Sequence, residues 1–198
     1  MEEIQILQQA IGEISGMNQE SFELSLPYWQ LKTYHRGDFF NQYKNVCKYL
    51  GFIVSGVFRI YRVNEETGEE KNMMFFTDHQ FVASYKSFLN QTACDYYTEA
   101  MEDATIFYIH VEKLHELYSI SPAWERFGRL FAESALNGIL IQTENAMFKL
   151  PEERYLEMMQ EYPKLMQTIP LYHIASYLGI KGPSLSRIRK RLGATATK

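Results

Sequence analysis

The stretch "IPLYHIASYLGIKGPSLSRIRKRL", Ile169 to Leu192, places four cationic side chains within five residues near the end of a chain whose formal net charge is −4. Its apolar residues Ile174, Leu178, Ile180, Leu185, Ile188 and Leu192 fit two short helices, "LYHIASYL" and "PSLSRIRKRL", joined by the tight turn "GIKG". Ala175 is small where the second helix must cross closely. Gly179 can adopt a left-handed conformation at the end of the first helix, and Pro183 pre-sets the first turn of the second. Leu185, Ile188 and Leu192 share one face, so Ser186, Arg187 and Lys190 point away from it, with Ser184, Arg189 and Arg191 on the flanks.

The charge is divided along the chain. Residues 1–161 carry 13 Lys and Arg against 24 Asp and Glu, whereas residues 162–198 carry seven cations and no acid. Net charge per segment is what predicts a polyanionic partner, and here it points to the last forty residues or so. A helix of this width fits the DNA major groove, where Arg can bind guanine through two parallel hydrogen bonds. Arg187, near the start of the second helix, is the candidate for base contact, with Ser184 and Ser186 beside it. Arg189, Lys190 and Arg191 are the candidates for phosphate contacts, which give affinity without sequence information.

Upstream, residues 2–14 and 19–26 read as short helices, the second opened by Asn18 and stopped by Pro27. From Leu31 the pattern changes to "LKTYHRGDFF", "CKYLGFIVSGVFRIYRV", "EEKNMMFFTD", "QFVASY" and "DYYTEAMEDATIFYIH", rich in β-branched and aromatic residues. Turn signals separate these runs at Arg36-Gly37-Asp38, Ser55-Gly56, Asn64 to Gly68, Asp78-His79 and Glu102-Asp103. Short strands at such regular spacing predict an all-β barrel or sandwich.

After His110 comes one short helix, "VEKLHELY", and then Ser121-Pro122 opens a long one running to about Lys149. Trp124, Phe127, Phe131, Ala135, Gly138 and Ile141 mark one side of it, and Leu130, Leu136, Ile139 and Leu140 widen the apolar stripe. Such a helix needs two partners, either within one domain or with one side on a second subunit. Leu150-Pro151 restarts a helix and marks the hinge. The fold class expected is α+β, with a β-rich domain over residues 1–120, a connecting helix over 121–149 and an α-helical domain over 150–198.

The 46% hydrophobic fraction is enough for a core, and the acidic first residues, without a long apolar run, predict neither a signal peptide nor a membrane span. A cytoplasmic location is expected. Cys47 and Cys94 are too far apart in sequence for a CxxC pair and read as buried small hydrophobes. No phosphate-binding loop, nucleophile elbow or HxH pair occurs, so no catalytic residue, metal ligand or cofactor is assigned.

In this order, the parts resemble a transcription regulator of the Crp/Fnr family, from about Ser21 to Leu192. "GFIVSGVFRIYRV", "SPAWERFGRLF", "PEERYLEMMQEYP" and above all "IASYLGIKGPSLSRIRKRL" carry the resemblance. It implies a jelly-roll effector domain (a double-stranded β-helix), a dimerisation helix and a helix-turn-helix. Such a homodimer would set two recognition helices in successive major grooves of double-stranded DNA, about 34 Å apart.

Cyclic-nucleotide-binding members carry a Gly-Glu pair and, further on, an Arg that hold the ribose and the cyclic phosphate. At the matching places this chain has Ala83, Ser84 and Cys94, so a buried phosphate would lack its cation. The expectation is a small effector other than cyclic AMP, with Tyr85, Phe88, Tyr96 and Tyr97 completing an aromatic pocket. Two cysteines cannot supply four thiolates to an iron–sulfur cluster. The five histidines, His35, His79, His110, His115 and His173, read as surface or ordinary hydrogen-bonded residues. The competing classes are a cupin-like metal-dependent enzyme and an interaction protein that binds a polyanion other than DNA.

Overall fold

A computed structural model describes residues 2–195, with side chains from residue 3 to residue 192. Two short N-terminal helices, α1 (Glu2–Ser15) and α2 (Gln19–Glu23), lead into the β-rich region. Asn18 caps α2 as expected, its side chain accepting from the Ser21 N–H at 2.9 Å. Pro27 does not stop that helix. The helix ends at Glu23, and Pro27 lies inside a separate 3-10 turn, Leu26–Tyr28.

Among the described residues the β-rich region forms two four-stranded antiparallel sheets. One orders β1 (Gln30–Tyr34), β8 (Ala104–His110), β3 (Tyr49–Ser55) and β6 (Phe81–Val82). The other orders β2 (Phe39–Asn41), β7 (Tyr97–Ala100), β4 (Phe58–Val63) and β5 (Glu70–Phe76). Only two residues of "QFVASY" form strand, because the chain turns at once into α3 (Tyr85–Asn90).

The run "LGFIVSGVF" is apolar throughout because β3 is covered on both faces. Ile53 packs into the roll with Phe58, Val82, Ala100 and Ile106. Leu50, Phe52 and Val54 face the other way, onto the cluster formed with α1, α4 (Val111–Ile120) and the first turns of α5 (Pro122–Phe148). The turn after β3 needs its glycine. Gly56 has φ +120°, and a Cβ there would lie 2.3 Å from that of Ala104.

Helix α5 has two halves. Trp124 and Phe127 are fully buried in the chain's own core, and Phe131 packs on Phe81 and Tyr85 with ring centroids 5.2 and 5.7 Å apart. Beyond Ala132 the helix leaves the roll, and Leu136, Ile139, Leu140, Ile141 and Met147 are exposed. Then follow α6 (Pro151–Glu161), α7 (Pro163–Thr168), α8 (Leu171–Leu178) and α9 (Gly182–Thr195). The bracket between Pro163 and Pro170, expected as a plain connection, holds the extra helix α7. Tyr155, Met158, Leu165, Ile174, Leu178, Leu185 and Ile188 form a second core. None of the described helices is long and apolar enough to cross a membrane.

Candidate nucleic-acid interface and effector site

The α8–α9 pair is built as its sequence demands. Gly179 ends α8 with φ 70°, and the Ile180 N–H reaches back to the Ala175 carbonyl at 3.0 Å, closing the last turn. Arg154 of α6 reinforces that end by donating to the carbonyls of Tyr177 and Leu178, at 3.1 and 3.4 Å. Leu185 and Ile188 are buried beneath α9, with Leu192 half-buried, so Ser186, Arg187, Arg189 and Lys190 face solvent. Ser184 is half-buried and accepts from Arg187 at 3.3 Å. The outlier is Arg191, which ion-pairs with Glu152 of α6 through both its Nε and an Nη. An arginine expected on phosphate thus has an intramolecular partner.

Of the six residues expected at a dimer surface, Trp124, Phe127 and Phe131 are turned into the chain's own roll. Their rings complete the cluster between α1, α3 and β3. Gly138 and Ile141 are exposed and Ala135 is half-buried. The free apolar stripe is instead Leu136, Ile139, Leu140 and Met147, with Phe148 and Leu150 beyond it.

The seven residues expected around an effector do not converge. Ala83 and Ser84 are buried, and the Ser84 hydroxyl lies 3.1 Å from that of Thr98 on β7, inside the roll. Tyr85 and Phe88 stack on each other and join Phe131 of α5. Cys94 is buried, and its sulfur takes the Tyr96 N–H at 3.3 Å. Tyr97 sits outside the roll. The register that points Thr98 and Ala100 inward turns it outward onto Tyr61, 5.1 Å away, beside Phe39 and Tyr43. Tyr96 borders an open groove with Arg62, Lys71 and Met73.

Arg59 is the buried cationic side chain among the described residues, and it too faces out of the roll. Lys86, near the Ser84 end, is exposed and paired with Asp95 at 3.3 Å. A cyclic phosphate beside Ser84 and Cys94 would therefore lose its hydration without gaining a cation. Calorimetric titration with cyclic AMP is expected to show no binding, and a micromolar dissociation constant would overturn this reading of the site.

Sequence reasoning missed a polar node between the roll and α8. Arg59 on β4 donates to Glu99 of β7 from Nε at 2.8 Å and Nη2 at 2.5 Å. Its Nη1 reaches Glu70 of β5 at 2.6 Å and His173 Nδ1 of α8 at 2.8 Å. Burial works against the guanidinium charge, but Glu70 and Glu99 outweigh it and raise the pKa.

His173 Nδ1 also faces the Asn72 amide at 3.2 Å. Two donors aimed at one ring nitrogen require it to be unprotonated. Burial first, then the charges of Arg59 and Arg36, hold the His173 pKa at about 4 against the opposing pull of Glu70. Because this lies below the ordinary value of 6.5, the node keeps its full strength above that pH and loses it as pH falls through about 4. Nothing in the one-letter code marked Arg59, since alternation alone makes it a solvent-facing charge on β4.

A roll of two sheets, a long helix and a terminal helix pair together make a modular architecture, one module enclosing a small interior and the other presenting a cationic helix. Residues 31–121 match the family model "Cyclic nucleotide-binding domain". FixK2 from Bradyrhizobium japonicum is similar in structure, with a TM-score of 0.70 at 18% identity over 85% of this chain and 86% of that one. The c-di-GMP-responsive global regulator CLP from Xanthomonas campestris gives 0.68 at 15% identity, over 90% and 93%. A CooA mutant from Carboxydothermus hydrogenoformans gives 0.67 at 16%, over 92% and 84%. No curated protein sequence matches the chain. The roll belongs to the cyclic nucleotide-binding domain family, and the chain as a whole has the Crp/Fnr-type fold.

Proposed function

We propose that this protein is a sequence-specific, DNA-binding transcription regulator that works as a homodimer in the cytoplasm, with residues 1–120 as effector domain, 121–149 as dimerisation helix and 150–198 as DNA-binding domain. The observation that carries the proposal is the exposed row of Ser186, Arg187, Arg189 and Lys190 on a helix anchored by buried Leu185 and Ile188. A cationic tail without fixed geometry could only bind phosphates, whereas a rigid helix can also place an arginine fork on a base edge. The effector is a small molecule other than cyclic AMP, entering near Ser84 and Thr98. The dimer surface is the second half of α5.

Two substitutions separate reading from holding. Arg187→Ala is expected to cost about 1–3 kcal/mol of affinity for the selected site and to relax preference at one position. Lys190→Ala is expected to weaken selected and random duplex alike and to lower the salt slope by about one. Selection from random duplex DNA supplies the site, and fluorescence anisotropy across a salt series measures both effects. Equal losses on both kinds of DNA for Arg187→Ala would reject its role.

A further inference from the structure

The reading helices are pinned to the roll. β5 is the edge strand of its sheet, and an edge leaves backbone donors and acceptors without a neighbouring strand. The Ser176 hydroxyl of α8 supplies both partners at that edge, donating to the Glu70 carbonyl at 2.8 Å and accepting from the Asn72 N–H at 3.1 Å. Around this point lie the Arg59–His173 contact and a second charged contact. The latter joins Lys164 of α7 to Asp78 at 2.6 Å and Glu102 at 3.1 Å. Apolar contact across the seam comes from Val57, Met101 and Phe75, which close the second core from the roll side.

Each part of this seam suits a reversible joint. A buried guanidinium among two carboxylates and an imidazole recovers little more than its desolvation cost, so it sets orientation more than strength. The connection to α5 runs through Lys149 and Leu150, both in extended backbone, which can swing without unfolding either helix. Docking also holds a cationic helix pair against a body in which acids outnumber Lys and Arg by 24 to 13 over residues 1–161, and that field repels a polyanion. The seam is wired to the roll's interior. Thr98, which meets Ser84 inside, is followed directly by Glu99, which grips Arg59 outside.

We propose that this seam is an autoinhibitory latch: docked on the acidic roll the helix pair rests in a weakly binding orientation, and withdrawal of Glu99 from Arg59 releases it toward duplex DNA. The latch is not a physiological pH sensor, because His173 stays neutral far below pH 7. Its trigger is displacement of β7 by a ligand between Ser84 and Thr98. The inhibitory role rests on the DNA-regulator reading, whereas the latch itself is tested without DNA.

The experiment uses the full chain with Arg59→Met, which keeps length and removes the charge. Arg62→Met, on an exposed arginine of the same strand, serves as control. Hydrogen–deuterium exchange of the Asn72 amide and of α8 is expected to quicken about tenfold in Arg59→Met and to stay unchanged in the control. Affinity for random duplex is expected to rise about tenfold in the same variant. Should Arg59→Met fold poorly, Ser176→Ala combined with Lys164→Met opens the seam from its other contacts and carries the same two readouts. Unchanged exchange overturns the latch, and faster exchange with unchanged or weaker duplex binding overturns its inhibitory role. If neither wild type nor variant binds duplex, the regulator reading and the inhibitory role fall together, while the exchange result still decides whether the node holds the helices.

Discussion

Trp124→Ala is expected to lower the unfolding free energy by about 3–5 kcal/mol, a large share of what a chain of this size has. Trp124 is 0% exposed, packs edge-on against Phe127 at 5.5 Å, and donates its indole N–H to the Ser21 carbonyl at 2.8 Å. Removing the ring opens a cavity where α1, α2 and α5 meet the outer face of β3 and β8. It also leaves the Ser21 carbonyl without its donor. Trp124→Phe separates the two terms, because it keeps most of the volume and loses only the hydrogen bond, at about 1–3 kcal/mol. Guanidinium titration followed by far-ultraviolet circular dichroism measures both. A loss below about 1.5 kcal/mol for Trp124→Ala would mean that the packing of α5 on the roll is marginal, and with it the inside–outside division of that helix.

That division shows where the sequence was readable and where it was not. The helix pair was legible because its signals are local: Gly179 and Pro183 act on their own backbone, and Leu185 and Ile188 differ from Arg187 and Lys190 by rotation about a single axis. The alternating strands and the turn at Ser55-Gly56 were legible for the same reason. On α5, periodicity marked an apolar face without saying which neighbour covers it. Trp124 and Phe127 look like interface residues until β3 and α1 are seen packed on them.

The candidate site failed differently. Tyr97 is aromatic like Tyr85 and Phe88, but side-chain parity on β7 sends it outward, and parity depends on a register fixed by β4 across the sheet. Arg59 and His173 are 114 positions apart, so nothing local could join them. Their contact arises only once the terminal helices fold back on the sheet edge. Glu152 meets Arg191 in the same way, across 39 positions. Long-range polar pairs are decided by tertiary geometry, and a single sequence carries no record of them.

Replacing Leu136 and Leu140 together by aspartate is expected to convert a dimer into a monomer. It should also weaken binding to a two-half-site duplex by about 10²–10⁴-fold, the advantage lost when two modules are no longer linked. Leu136 and Leu140 are 59% and 53% exposed, and with Thr143 and Met147 they follow the four-three-four spacing of a coiled-coil seam. In a two-fold pair each residue meets the partner's equivalent surface, so every substitution counts twice. Each leucine forfeits part of the roughly 1.5–3 kcal/mol that complete burial would give, and the new carboxylates would face one another across the axis. Neither side chain belongs to the chain's own core clusters, so the protomer's melting curve should be nearly unchanged. Asn137→Asp, on the same turn but off the seam, should leave the dimer intact. Analytical ultracentrifugation of the three proteins reads the mass directly. If the double variant still sediments at twice the chain mass, the pairing surface lies elsewhere, and α5 is no more than a spacer between the roll and the helix pair.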